Sequence, residues 1–117
     1  MKKIYYLSTC DTCKRILKEL EPSASFELQD IKTEPLTIDQ LQELKKRAGT
    51  YEALFSKRAR LYKERDLKNK QLSEEDYKNL LLEHYTFLKR PVIVNEQKIF
   101  IGNSKKEVAA AKASIGE

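Results

Sequence analysis

The sequence predicts an α/β domain, a small mixed sheet with helices around it. Two features of the ends and one of the middle carry that expectation. Near the start, a strand-like run reaches a C-x-x-C pair and passes into an amphipathic, helix-like stretch. The middle of the chain reads as successive helices. The last third returns to short apolar runs of strand character before one more helix. The order is β-α-β, a helical block, then β-β-α.

Residues 3–7 (KIYYL) are β-branched and aromatic, and read as a strand that Ser8 and Thr9 break. From Asp11 to Leu20, Ile16, Leu17 and Leu20 recur at helical spacing, and Pro22 stops the run. Residues 25–31 alternate, with Phe26, Leu28 and Asp30 set against Glu27, Gln29 and Ile31, which predicts a second strand. Thr37 with Gln40 three residues on is a capping box. Leu41 and Leu44 mark the buried face of that helix, and Gly49 suits its end. Residues 51–55 and 61–67 read as short helices joined by the basic link SKRAR. Ser73 followed by Glu74, Glu75 and Asp76 starts another helix, with acids at the positive end of its dipole. It carries Tyr77, Leu80, Leu81 and His84 or Tyr85 and is expected to end near Thr86.

Pro91-Val92-Ile93-Val94 is a compact apolar strand, and Asn95-Glu96-Gln97 turns it into a hairpin with KIFI, residues 98–101. Gly102 and Asn103 break the hairpin. Ser104 caps a last helix over residues 105–113, with Val108, Ala109 and Ala111 expected to pack closely.

The chain has 117 residues, enough for one core, with 40% apolar and 35% charged residues. It is expected to form a single domain, residues 1–117. No run approaches the ~20 apolar residues of a membrane helix. The N-terminal apolar stretch is too short for a secretory signal. A cytoplasmic monomer with reduced thiols is therefore expected. The net charge of +5 lies on a surface rich in both signs. It suits an anion-binding cleft or an acidic partner as well as plain solvation. No helix-turn-helix, finger or RNP pattern points to direct nucleic-acid binding.

Cys10 and Cys13 are the chain's two cysteines. A zinc site needs four ligands, and beyond this pair the sequence offers only the distant His84. A pair of small buried structural thiols is a second reading. A redox or nucleophilic pair is the third, and the strand before it and helix after it favour this one. A cysteine at a helix start meets unpaired backbone N–H groups and the positive end of the dipole, both of which favour thiolate. Lys14 and Arg15 add charge in sequence. Cys13, one turn on and more interior, suits a resolving role. The readings imply no metal and no prosthetic group.

Taken together, the strand, C-x-x-C and helix, and the late R-P-V-I-V with its hairpin and helix, resemble a thioredoxin-like fold. "STCDTCKRIL", "LFSKRARLYKE", "LLLEHYTFLKRPVIV" and "KIFIGNSKKEV" stand in the order of the ArsC/Spx/YffB family. The resemblance covers nearly the whole chain and makes residues 34–86 a helical insertion. It implies that Cys10 is the nucleophile of an arsenate reductase-like thiol–disulfide oxidoreductase. It puts Cys13 where the Spx branch has its second redox cysteine. It assigns Arg90 to an oxyanion-holding arginine and Arg58 to the arginine of the Spx and YffB segment. Both are expected to bind the anion, since an arginine fork meets a tetrahedral oxyanion with two donors. Pro91 falls on the cis-proline that faces the active cysteine. Two further arginines of the reductases fall on Ser56 and Gly102. The substrate implied is a small oxyanion or a disulfide, with glutathione or a glutaredoxin as electron donor. The alternative implied is an Spx-like redox-sensing regulator that binds the RNA polymerase α subunit. Arg60, in a charge-rich stretch, is expected at the surface. His84 is expected to pack at a helix end, and the tyrosines to serve core and rim.

Overall fold

A computed structural model describes residues 1–22 and 24–116. The chain divides into two compact units, one made of Met1–Glu34 with Arg90–Glu117, the other of Pro35–Lys89.

The first unit holds the sheet. Its strands are β1 (Lys2–Tyr6), β2 (Glu27–Asp30), β3 (Val92–Asn95) and β4 (Lys98–Ile101), in the order β2-β1-β3-β4. β1 pairs parallel with β2 and antiparallel with β3, and β3 pairs antiparallel with β4. So β1, β2 and β4 point the same way, and their carboxyl ends share one edge of the sheet with the start of β3. Two helices, α1 (Asp11–Leu20) and α5 (Lys105–Ile115), complete the unit. Ile16 and Leu20 of α1 and Val108 and Ala111 of α5 form one buried cluster with Ile4, Phe26 and Ile93. The apolar spacing in α1 therefore turns Cys13, Ile16 and Leu20 inward together. Glu21 closes α1 in the left-handed region (φ 47°), its N–H donating to the Leu17 carbonyl.

Three local expectations change. β2 is an edge strand, and its burial does not follow the expected alternation. Leu28 is exposed, whereas Gln29 is buried and donates from Nε2 to the Glu34 carbonyl at 2.9 Å. With one neighbouring strand only, apolar content does not fix which face is covered. Ala109 lies on the exposed side of α5, and Ser114 takes the expected inward place, its Oγ accepting from Asn95 Nδ2 at 2.9 Å. The hairpin loop is shorter than the expected three residues. Asn95 pairs with Lys98, so only Glu96 and Gln97 turn the chain, and Glu96 takes a positive φ of 58°.

The second unit is helical. Its α2 (Ile38–Ala48), α3 (Arg60–Glu64) and α4 (Glu74–Glu83) are joined by 3-10 turns at Glu52–Leu54, Leu67–Asn69 and Tyr85–Phe87. The capping box of Thr37 and Gln40 forms, and Gly49 ends α2 at φ 97°. Ser73 and Asp76 make a second capping box at the start of α4. Residues 51–55 form a single 3-10 turn rather than a helix, and α3 begins at Arg60, inside the expected link. α4 stops at Glu83, short of Thr86. There His84 turns extended (φ −151°, ψ 136°), and its Nδ1 accepts the Thr86 N–H at 3.0 Å, which caps the next turn. The ring of Phe55 sits among Tyr77, Phe87 and Tyr62, with centroids at 4.9, 5.2 and 5.9 Å. Around it, Ser56 N–H donates to the Phe87 carbonyl at 2.7 Å and Lys89 N–H to the Leu54 carbonyl at 2.9 Å. These aromatic edge and stacking contacts hold the short turns together where hydrogen-bonded helix is scarce.

Candidate active site: the two thiols at the carboxyl end of the sheet

The carboxyl end of β1 runs into a tight turn. Cys10 N–H donates to the Leu7 carbonyl at 3.0 Å, and the Cys10 carbonyl then accepts the Lys14 N–H at 3.1 Å as the first bond of α1. Cys10 is thus the N-cap residue, in extended conformation (φ −98°, ψ 113°), and its side chain makes no cap bond of the usual kind. Its sulfur instead stands at the helix start with backbone donors before it. Cys10 is partly exposed and Cys13 fully buried, and both are free thiols.

Their environments drive the two sulfurs apart. Burial opposes ionisation of Cys10. It is outweighed by the Cys13 N–H, the Cys13 thiol, the Arg90 guanidinium and the Thr12 N–H, so the Cys10 pKa falls below its ordinary value. Burial pushes Cys13 up to about 11, and the neighbouring Cys10 charge and the hydrogen bond that Cys13 donates to it push the same way. The Leu7 backbone and Arg90 only partly offset this. One thiol is prepared to ionise, and the other to keep its proton and donate it.

Arg90 and Pro91 precede β3 at the same end of the sheet. The Arg90 guanidinium acts on both sulfurs, its Nε is buried, and the Arg90–Pro91 peptide is cis. The Pro91 carbonyl accepts the Gly102 N–H at 2.9 Å, which ties the loop after β4 to this edge. Gly102 has φ 91°, and a Cβ there would meet nothing within 4 Å. The structure therefore brings Cys10, Cys13 and Arg90 together within the first unit, with Pro91 following Arg90 in the chain. Arg58 belongs to the second unit, exposed in the loop before α3, where its N–H donates to Ser56 Oγ at 3.4 Å. Arg60 is exposed and paired with Glu64 at 3.6 Å.

The cation acting on the thiols comes from Arg90, eighty positions from Cys10 in the chain, while Lys14 and Arg15 are exposed on α1. Ser8 and Asp30 also meet at this end of the sheet. Ser8 Oγ donates to Asp30 Oδ2 at 2.5 Å, and Ser8 N–H and Lys32 N–H donate to Oδ1 at 3.3 and 3.2 Å. Their sequence signal is slight, a serine after one strand and an aspartate ending the next. Among the described residues, no group of three or more His, Cys, Asp or Glu side chains is placed to hold a metal ion. Among the described residues, no helix is long and apolar enough to cross a membrane.

A thioredoxin-like sheet with a C-x-x-C pair at the start of its first helix defines the class of protein. The chain belongs to the ArsC family, which it matches over residues 5–111. It is 27% identical over 111 residues to the global transcriptional regulator Spx 1 of Oceanobacillus iheyensis, covering 92% of this chain and 84% of that one. A protein of Haemophilus influenzae is 30% identical over 115 residues, 97% of this chain and 100% of its own length. Among solved structures, an arsenate reductase from Vibrio cholerae has the same fold. It superposes with a TM-score of 0.77 at 22% identity, covering 94% of this chain and 96% of that one.

Proposed function

We propose that this protein is a thiol-based reductase of the arsenate reductase type, with Cys10 as nucleophile and Cys13 as resolving thiol. The observation that supports the reading is the split between an accessible, readily ionised Cys10 and a buried Cys13 that keeps its proton. With a disulfide substrate, the Cys10 thiolate attacks one sulfur and the substrate S–S bond breaks. The electron pair leaves on the other sulfur, which takes up a proton. Cys13 then gives up its own proton and attacks Cys10 in the mixed disulfide. The Cys10–Cys13 bond forms, and the second half of the substrate leaves as a thiol. Two electrons pass from the protein to the substrate, and glutathione or a glutaredoxin returns them. With an oxyanion such as arsenate, the same thiolate bonds to arsenic while an As–O bond breaks. Its oxygen leaves as water with protons from solvent, and Arg90 meets the remaining negative charge. Attack of Cys13 or glutathione on the Cys10 sulfur then forms the disulfide. The S–As electron pair stays on arsenic, which leaves as arsenite. In this reading the protein acts as a cytoplasmic monomer, where a reducing pool keeps the pair as thiols.

The test is turnover of arsenate and of a disulfide substrate, each with glutathione present or absent and with glutaredoxin present or absent. Turnover should vanish in Cys10→Ser. Cys13→Ser should accumulate a mixed disulfide on Cys10. Absence of turnover with every donor would overturn the reading.

A second reading draws on the likeness to transcriptional regulators and on the C-x-x-C pair itself. In it the pair is a redox switch, and the protein binds the C-terminal domain of the RNA polymerase α subunit. Its mark is direct binding of that domain by the purified protein, without reductase turnover.

A further inference from the structure

We propose that Asp30 is a positioning residue for Cys10, acting through Ser8 to hold the turn from which the nucleophile enters its helix. The proposal rests on the thiol-based reading above. β1 and β2 run parallel, with Tyr6 opposite Asp30, so the end of one strand lies beside the end of the other. Ile31 N–H extends the ladder by donating to the Tyr6 carbonyl at 2.9 Å. Beyond that bond the two chains part, one toward Cys10 and the other toward Lys32.

The Asp30 carboxylate bridges them where they part. One oxygen takes the Ser8 hydroxyl at 2.5 Å, and the other takes the Ser8 N–H at 3.3 Å and the Lys32 N–H at 3.2 Å. Thr33 Oγ1 adds a bond to the Asp30 carbonyl at 3.3 Å. A carboxylate accepting such donors forms charge-assisted bonds, about twice as strong as neutral ones. Ser8 is the second of the four residues from Leu7 to Cys10, and the turn closes on Leu7 through the Cys10 N–H. Holding Ser8 therefore holds the whole turn, and with it the direction in which the Cys10 sulfur meets the Thr12 and Cys13 N–H groups. Ser8 hydrogen bonding keeps Asp30 ionised to lower pH than an ordinary carboxyl, so the clamp persists wherever Cys10 works. A carboxylate beside the sulfur would oppose thiolate formation, so Asp30 is assigned to the turn and not to the sulfur itself.

The experiment is the pH dependence of iodoacetamide alkylation of Cys10, followed by peptide mass spectrometry that scores Cys10 and Cys13 separately. Wild type, Asp30→Ala, Asp30→Asn and Ser8→Ala are compared under conditions where circular dichroism shows each to be folded. Asp30→Ala and Ser8→Ala should move the Cys10 profile toward higher pH. A shift of about one unit lowers the thiolate fraction, and the rate, by up to about tenfold, the full factor appearing at pH values below both midpoints. The plateau rate at high pH should stay near wild type, and Cys13 should stay protected. Asp30→Asn keeps an acceptor oxygen for Ser8 and should recover part of the shift. General loosening would expose Cys13 as well, which the two-site readout separates. If Asp30→Ala does not fold, Ser8→Ala carries the test. A Cys10 profile in the folded variants that superimposes on wild type overturns the proposal. A wild-type Cys10 that itself titrates like a free thiol, near ~8.5, overturns the functional reading instead.

Discussion

At the residue scale, the site works through differences between like groups. Two thiols three positions apart differ in exposure and in readiness to ionise, and both feel one guanidinium. Arg90 precedes a strand-opening proline, which restricts its backbone, and its guanidinium acts on both sulfurs. Arg90→Lys keeps the charge and loses the two-donor fork. A charge-assisted hydrogen bond is worth roughly 1.5–3 kcal/mol, about one to two powers of ten in affinity or rate. Arg90→Lys should lose about that much in arsenate kcat/KM while circular dichroism stays unchanged. Arg60→Lys, on an exposed side chain paired with Glu64, should change little. Arg58→Lys belongs in the same assay, and a loss like that of Arg90→Lys would give it the anion-binding role its family resemblance implies. Cys10 was legible as a helix-starting cysteine because cap position is a local property. The places of Arg90 and Asp30 were less so, since they depend on pairing strands distant in sequence.

At the element scale, local chemistry set the starts of helices more firmly than their ends. Both capping boxes and the Ser104 cap stand where a hydroxyl precedes a helical pattern by the right spacing. The end of α4 differs because a side chain competes for the backbone. The His84 ring takes the Thr86 N–H, so the chain leaves the helix about three residues early. Glu74 also reaches outside its own helix, accepting from Tyr51 N–H at 2.8 Å and Glu52 N–H at 3.0 Å. The first turn of α4 thus caps the 3-10 turn at Glu52–Leu54. Ser73→Ala should cost about 1 kcal/mol by removing the cap. In urea denaturation this should appear as a lower midpoint with an unchanged slope. An unaltered midpoint would mean that water replaces the hydroxyl at no net cost.

At the scale of the whole molecule, the buried thiol ties stability to pH. Folded Cys13 holds its proton up to about 11, whereas an unfolded cysteine loses it near ~8.5. The folded state binds that proton more tightly, so this contribution is whole below about 8.5 and is lost as pH rises toward 11. Cys10 has the opposite sign. Its contribution is full above the unfolded value and is lost as pH falls through the lower folded one. Reduced protein should therefore lose stability between about pH 8.5 and 11 more steeply than Cys13→Ala, measured by urea midpoints across that window. Equal slopes would mean that Cys13 ionises as readily folded as unfolded. The α/β order was legible because short β-branched and aromatic runs stand between amphipathic stretches of helical period. The burial of β2 was not, because an edge strand's covered face depends on neighbours that the strand itself does not encode.

The pairing of β1 with β3 has a consequence for how the protein is made. Lys2 lies opposite Asn95, and Tyr5 opposite Val92, so the first strand finds this partner only after most of the chain exists. Translation proceeds at about 5–20 residues per second, so Arg90 leaves the ribosome about 4–16 s after Cys10. During that interval the nascent chain carries both cysteines without the guanidinium that later acts on them and without the fold that buries Cys13. Oxidants and chaperones therefore meet a pair of unguarded thiols during synthesis, and the protein acquires its chemical selectivity only as the last hairpin forms.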